Sequence, residues 1–170
     1  LMKRLREIIS GCTKCGLSRT RQNVIFGEGC SAAEIMLVGE APGADEDRSG
    51  RPFTGRSGQL LDRILAACGF TRQEHVFISN IVRCRPPGNR VPTEEEVAAC
   101  IPYLYDQIRL VDPKIIIPMG ATALKRLLGD NSIRISRVRG RWLQWEGRLV
   151  LPVYHPAALL RNPGLKKDTW

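Results

Sequence analysis

Four short β-branched runs punctuate the chain and end abruptly in Gly, Asn, Pro or His: Glu34 to Gly39, Val76 to Val82, Ile115 to Gly120, and Leu149 to His155. Runs of this length with such ends predict buried strands. Between them, apolar residues recur near every 3.6 positions, which predicts helices over Ser57 to Cys68, Thr93 to Val111 and Ala121 to Leu128. Thr93 followed by Glu94, Glu95 and Glu96 is a capping-box start, with acids in the first turn where the helix dipole favours them. Strands alternating with helices imply a three-layer α/β/α sandwich around a central, mostly parallel, four-stranded sheet. No repeat or linker interrupts the pattern. Residues 1–170 are therefore expected to form one domain, the N-terminal cysteine segment included.

Open parallel sheets bind ligands at the carboxyl ends of their strands, where the strand order reverses. Residues able to do chemistry stand at those places. Glu40 follows the first run, Asn80 lies toward the end of the second, and His155 follows the fourth.

At 170 residues, 43% apolar and 6% aromatic, the chain has enough material for its own core and needs no partner to fold, so a monomer is expected. The net charge of +9, from 26 basic and 17 acidic residues, suits a polyanion such as nucleic acid or an anionic surface. Charge alone does not choose between those. No stretch approaches the roughly 18 apolar residues of a spanning helix, and Leu1 to Cys12 is basic and amphipathic rather than signal-like. A soluble, cytoplasmic protein with no membrane partner is expected. Lys167 to Trp170 reads as a polar turn that would open another helix, an ending that suits a truncated chain.

Six cysteines in such a compartment point to thiols or metal ligands rather than disulfides. Cys12 and Cys15 have the two-residue spacing with which one backbone turn grips a metal centre, and Cys84 and Cys100 could complete a set of four. Four thiolates suit zinc or an iron–sulfur cluster equally on their chemistry, and ordinary buried thiols are the plain alternative. Cys30 and Cys68 each stand alone and read as packing or surface thiols.

The first predicted strand runs into Gly39-Glu40-Ala41-Pro42-Gly43, a tight turn whose glycines allow close approach to a ligand. Next come Asp47-Arg48-Ser49-Gly50-Arg51-Pro52-Phe53 and a loop feeding a helix start able to hold a phosphate. Phe53, in a Gly/Pro-rich loop, suits a stacking platform, or else tucks against the sheet. The fourth strand leads into Tyr154-His155-Pro156-Ala157-Ala158-Leu159-Leu160-Arg161. There the histidine is placed either to act on a substrate or to cap a turn.

In this order, Gly-Glu-Ala-Pro-Gly, Gly-Arg-Pro-Phe, Asn80, the four spaced cysteines and His-Pro-Ala resemble the uracil-DNA glycosylase superfamily, specifically its iron–sulfur class, family 4. The resemblance covers nearly the whole chain. It implies a DNA-repair enzyme of the cytoplasm, associated with the nucleoid, that acts on uracil in single- or double-stranded DNA. It also implies a [4Fe-4S] cluster on Cys12, Cys15, Cys84 and Cys100 that fixes structure and takes no part in the step. Gly39, Ala41 and Gly43 would shape the pocket, Phe53 would stack on uracil and Asn80 would pair with its N3 and O4 edge. His155 would donate to O2, while Glu40 would position water and offset the cationic sugar. Leu159 matches the wedge that fills the gap left by the extruded base. Arg161, Arg137 and Arg139 would contact DNA; the basic run Arg134, Arg137, Arg139, Arg141 reads otherwise as a solvated loop. Thymine would be excluded by a residue of the Glu40 to Asp47 turn.

Two departures sharpen the resemblance. The best-studied branch of the superfamily carries an aspartate in the first motif and family 5 lacks an acid there, whereas this chain has Glu40. A further relative captures its product through a histidine in an insertion before the last cluster cysteine; Asn80 to Cys100 contains no histidine, so turnover is expected. Two other readings remain open on sequence: a lesion-binding module without catalysis, and a small electron carrier.

Overall fold

The computed structural model describes residues 1–169; Trp170, the last residue of the polar turn read above, lies outside them. In chain order the elements are α1 (Met2–Ser10), β1 (Glu28–Gly29), β2 (Ile35–Gly39), α2 (Ala44–Ser49), α3 (Arg56–Ala67), β3 (Val76–Asn80), α4 (Glu94–Val111), β4 (Ile115–Pro118), α5 (Ala121–Leu128), α6 (Ile135–Val138), β5 (Leu143–Trp145), β6 (Arg148–Val150) and α7 (Pro156–Arg161).

The sheet has six strands in the order β1-β3-β2-β4-β6-β5. The expectation of four is corrected by two short edge strands. The inner four, β3, β2, β4 and β6, are the predicted ones and run parallel. β1 and β5 add antiparallel edges. Neither edge has a β-branched run: β1 is two residues long, and β5 is one arm of a hairpin. Glu146 and Gly147 close that hairpin with φ of 50° and 74°, the left-handed pair whose twist matches the strands it joins. The fourth run is also shorter than predicted. Beyond Val150 the chain still bonds to β4, from Leu151 N to Ile116 O at 3.0 Å and from Val153 N to Pro118 O at 3.1 Å, and Val153 bridges to Met119.

Alternation along the strands divides the core. Met36, Val38 and Phe77 face α1, α4 and α5 in one cluster, with Leu5, Ile9, Leu104, Ile108 and Leu127. Leu37, Val76 and Ile78 face the other way, onto Phe53 and onto Leu61 and Leu65 of α3. Helices thus cover both faces of a mostly parallel sheet, the α/β sandwich expected from the pattern. α4 begins as its capping box requires: Thr93 Oγ1 accepts from Glu96 N at 3.2 Å, and Glu96 Oε2 accepts from Thr93 N at 2.9 Å.

From β2 the chain moves outward to β3, then crosses back over β2 to β4 and on to β6. The order therefore reverses beside β2. A crevice opens there, at the carboxyl ends of β2 and β4.

Candidate active site

That crevice is a cavity of about 610 Å³, lined among others by Glu40, Ala41, Gly43, Phe53, Asn80, Gly120, Tyr154, His155 and Arg161. Glu40 is the first residue past β2, Asn80 is the last of β3, and His155 caps α7 after β6. Three separate strand ends therefore deliver an acid, an amide and an imidazole to one space.

Asn80 is 3% exposed, and its Oδ1 has no hydrogen-bond partner. A buried acceptor left unpaired is costly, and here it borders a cavity. Gly39 makes room for it: a Cβ at that position would lie 2.4 Å from Asn80 Oδ1 and 2.7 Å from Phe53 Cζ. Phe53 joins the second core cluster, packed against the sheet, and also walls the cavity. Its ring lies 5.6 Å from that of His155 at 30°.

Phe53 has φ 51°, in the left-handed region a bulky residue rarely occupies. A buried arginine holds it there. Arg72 donates from Nη2 to Phe53 O at 2.5 Å and from Nη1 to Pro52 O at 2.7 Å. Asp62 and Glu28 neutralise the guanidinium at 2.6 and 3.0 Å.

His155 Nδ1 accepts a hydrogen bond from Ala157 N at 3.0 Å, which caps α7. In the neutral ring the proton then sits on Nε2. Burial holds the imidazole at about 4, with the Arg161 charge pushing the same way and Glu46 opposing. His155 is therefore a neutral donor at physiological pH. Glu40 is half-buried and enters no ion pair among the described residues.

Two acids of α2, within the turn and motif noted in the sequence but given no individual role there, fix the site. Glu46 lines the cavity, and its carboxylate accepts from Gly43 N at 3.0 Å and from Thr54 N and Gly55 N at 3.1 Å each. It staples the glycine-bearing turn to the Phe53 loop. Asp47, 2% exposed, accepts from Gln22 N and Asn23 N at 2.9 and 3.0 Å and ties α2 to the N-terminal segment. A Gly at the cap three residues before Glu46 was the available signal.

Leu159 is corrected. It is 1% exposed and packs inside the fold, so it does not project as a wedge. Arg161 borders the cavity, whereas Arg137 and Arg139 line a second depression with Ser136, Arg141 and Asp168. Arg139 is half-spent on Asp168 at 3.0 Å and lies 5.3 Å from the Tyr154 ring.

Packed with the core cluster of α1 and α4, Cys12, Cys15, Cys84 and Cys100 border one small cavity with Arg83, Arg21, Lys14 and Tyr103. Arg21 Nη1 approaches Cys84 Sγ at 3.4 Å and Tyr103 Oη approaches Cys12 Sγ at 3.6 Å. Burial pushes the Cys84 thiol up to about 11, with Arg21 opposing. No three metal-binding side chains among the described residues stand where a single ion would bind. One ion needs every sulfur about 2.3 Å from one point. An all-thiol set with cations beside it fits a negatively charged metal–thiolate centre. Cys30 packs against the main core and Cys68 is exposed; both lie apart from the four.

Comparison with known proteins agrees with this geometry. The family model of the uracil DNA glycosylase superfamily matches residues 26–170. A type-4 uracil-DNA glycosylase of Sulfurisphaera tokodaii is 44% identical over 173 residues, covering 98% of this chain and 79% of the relative. One from Thermotoga maritima is 46% identical over 163 residues, covering 95% and 84%. A type-5 enzyme of Pyrobaculum aerophilum is more distant, 32% identical over 149 residues, covering 78% and 65%. With an acid-bearing first motif, four converging cysteines and matches that span nearly all of it, the chain belongs to the uracil-DNA glycosylase superfamily, on its type-4 branch.

Proposed function

We infer that this chain hydrolyses the N-glycosidic bond of deoxyuridine in DNA, releasing uracil and leaving an abasic site. The observation that carries this reading is the meeting, in one cavity, of an unpaired buried amide, an aromatic face, a neutral imidazole and a free carboxylate.

A base inside a duplex is out of reach, so the nucleotide leaves the stack or arrives single-stranded. Phe53 stacks on the base. Asn80 Oδ1 accepts from uracil N3–H while its amide NH₂ donates to O4; cytosine presents the reversed pattern and is matched only if the amide turns over. The wall formed by the Glu40 to Asp47 turn, stiffened by the bonds of Glu46, stands against a 5-methyl group. As the bond breaks, negative charge gathers on uracil O2 and positive charge on the sugar. His155 Nε2–H meets the first, and Glu40 offsets the second and orients the attacking water. Arg161, Arg137 and Arg139 contact phosphate, adding to the attraction of the +9 charge.

Cys12, Cys15, Cys84 and Cys100 would hold a [4Fe-4S] cluster. When bound, it supplies a cross-link between the segment after α1, the end of β3 and the middle of α4. The protein works in the cytoplasm, on the nucleoid.

The test is excision. An end-labelled oligonucleotide carrying one uracil is incubated with the protein, treated with alkali and resolved by length, beside thymine and hypoxanthine controls. Strand scission at uracil is expected, and His155→Ala should lower its rate by about 100- to 1000-fold. Binding without an alkali-labile site would instead identify a lesion-recognition module.

A further inference from the structure

Arg83 is the buried cation that the catalytic reading leaves unused. It is 1% exposed, among the largest fully buried side chains, and lies one residue before Cys84. Buried arginines normally face a carboxylate, because an unpaired ion inside a protein is costly. Arg83 faces none among the described residues. Its Nη1 donates to the Asn80 carbonyl at 2.6 Å and its Nη2 to Gln107 Oε1 at 2.5 Å, while Nε has no partner. Both acceptors are neutral. Arg83 borders the cavity ringed by Cys12, Cys15, Cys84 and Cys100.

Gln107 is equally committed. Fully buried, it accepts from Ser79 Oγ at 2.7 Å and donates to Phe26 O at 2.7 Å, so the acceptor it offers Arg83 is fixed in place. Backbone bonds from Ile81 N to Gly39 O at 2.8 Å and from Val82 N to Glu40 O at 3.1 Å tie the same stretch to the first motif. Five residues, Asn80 to Cys84, thus run from the base-reading residue to a cysteine of the set, and Arg83 bonds the backbone carbonyl of the one and is the chain neighbour of the other.

We propose that Arg83 is the internal counter-cation of the four-cysteine centre and a positioning residue for Asn80, so that a negative centre holds the base-reading amide in register. This rests on the reading that the four cysteines bind an iron–sulfur cluster and that Asn80 reads uracil. An anionic cluster completes the charge balance that the neutral acceptors leave open. With the charge satisfied, the guanidinium stays on the Asn80 carbonyl; without it, burial favours withdrawal toward water.

The experiment compares iron-loaded wild type with Arg83→Met, similar in length but uncharged, and Arg83→Lys, which keeps the cation. Iron per chain, the reduction potential of the cluster, and kcat and KM on a uracil oligonucleotide are measured, alone and combined with Asn80→Ala. Arg83→Met should lower the potential, because a lost cation disfavours the added electron, and should reduce kcat/KM about tenfold. Arg83→Lys should restore the potential. In the Asn80→Ala background Arg83→Met should cause no further loss of excision. An Arg83→Met protein with unchanged potential and excision overturns the proposal, as does a lysine variant shifted as far as the methionine one. If Arg83→Met fails to retain iron, normal iron in Arg83→Lys supports the proposal and equal loss in both overturns it. Failure of the underlying reading looks different: Asn80→Ala would then excise uracil normally, whatever Arg83 does to the potential.

Discussion

The neutrality of His155 makes a prediction that separates it from an ordinary surface histidine. With the ring held at about 4, a fall from pH 8 to pH 5.5 protonates only about 3% of it, whereas an unperturbed group at 6.5 would be about 90% protonated. A step needing the neutral Nε2–H donor thus loses a few per cent of kcat/KM in the first case and about elevenfold in the second. Burial sets the direction, with the Arg161 charge adding to it, and the hydrogen bond from Ala157 N to Nδ1 suits the neutral ring, since a protonated Nδ1 would point its own hydrogen at a donor. The assay is initial-rate excision of uracil from a single-stranded oligonucleotide at constant ionic strength, with kcat/KM taken every half unit of pH. A flat profile to pH 5.5 is expected. A tenfold fall with a midpoint near 6.5, or a rate that climbs as pH drops, would refute the assignment of His155 as a neutral donor.

Stability follows from the same group. The folded ring titrates below the 6.5 of the unfolded chain, so the unfolded state binds the proton first and stability falls as pH drops from about 6.5 to about 4. Asparagine at this place keeps a cap acceptor without titrating. Between those pH values wild type should lose about 3 kcal/mol more than His155→Asn in urea unfolding. Gly39→Ala should abolish excision with the fold retained, because its methyl would stand 2.4 Å from Asn80 Oδ1; normal activity with unchanged circular dichroism would contradict the pocket described. Arg72→Met leaves the carbonyls of Pro52 and Phe53 without their donor while Glu28 keeps Arg51, so urea unfolding should show a loss of about 2 kcal/mol together with a raised KM for uracil DNA. Cys12→Ala should lose iron and visible absorbance along with stability, and a fully stable colourless variant would remove the structural role of the centre.

Local pattern settled the inner sheet. Continuous apolar runs such as Ile35 to Gly39 can only be strands covered on both faces, and Thr93 with Glu96 starts a helix by bonds made within four residues. The order of motifs likewise brought Glu40, Asn80, Phe53 and His155 into view, three of them at or after a strand end and Phe53 in the Gly/Pro-rich loop before α3. What lay beyond the sequence depends on partners distant along the chain. The edge strands β1 and β5 exist only because β3 and β6 offer free ladders. Leu159 reads as exposed from its motif, yet packing of α7 turns it inward. Arg72 meets Phe53 across 19 residues, Asp47 meets Gln22 across 25, and Arg83 meets Gln107 across 24. Periodicity can mark a face as buried, but which buried ion meets which acceptor is decided only when separate elements close on one another.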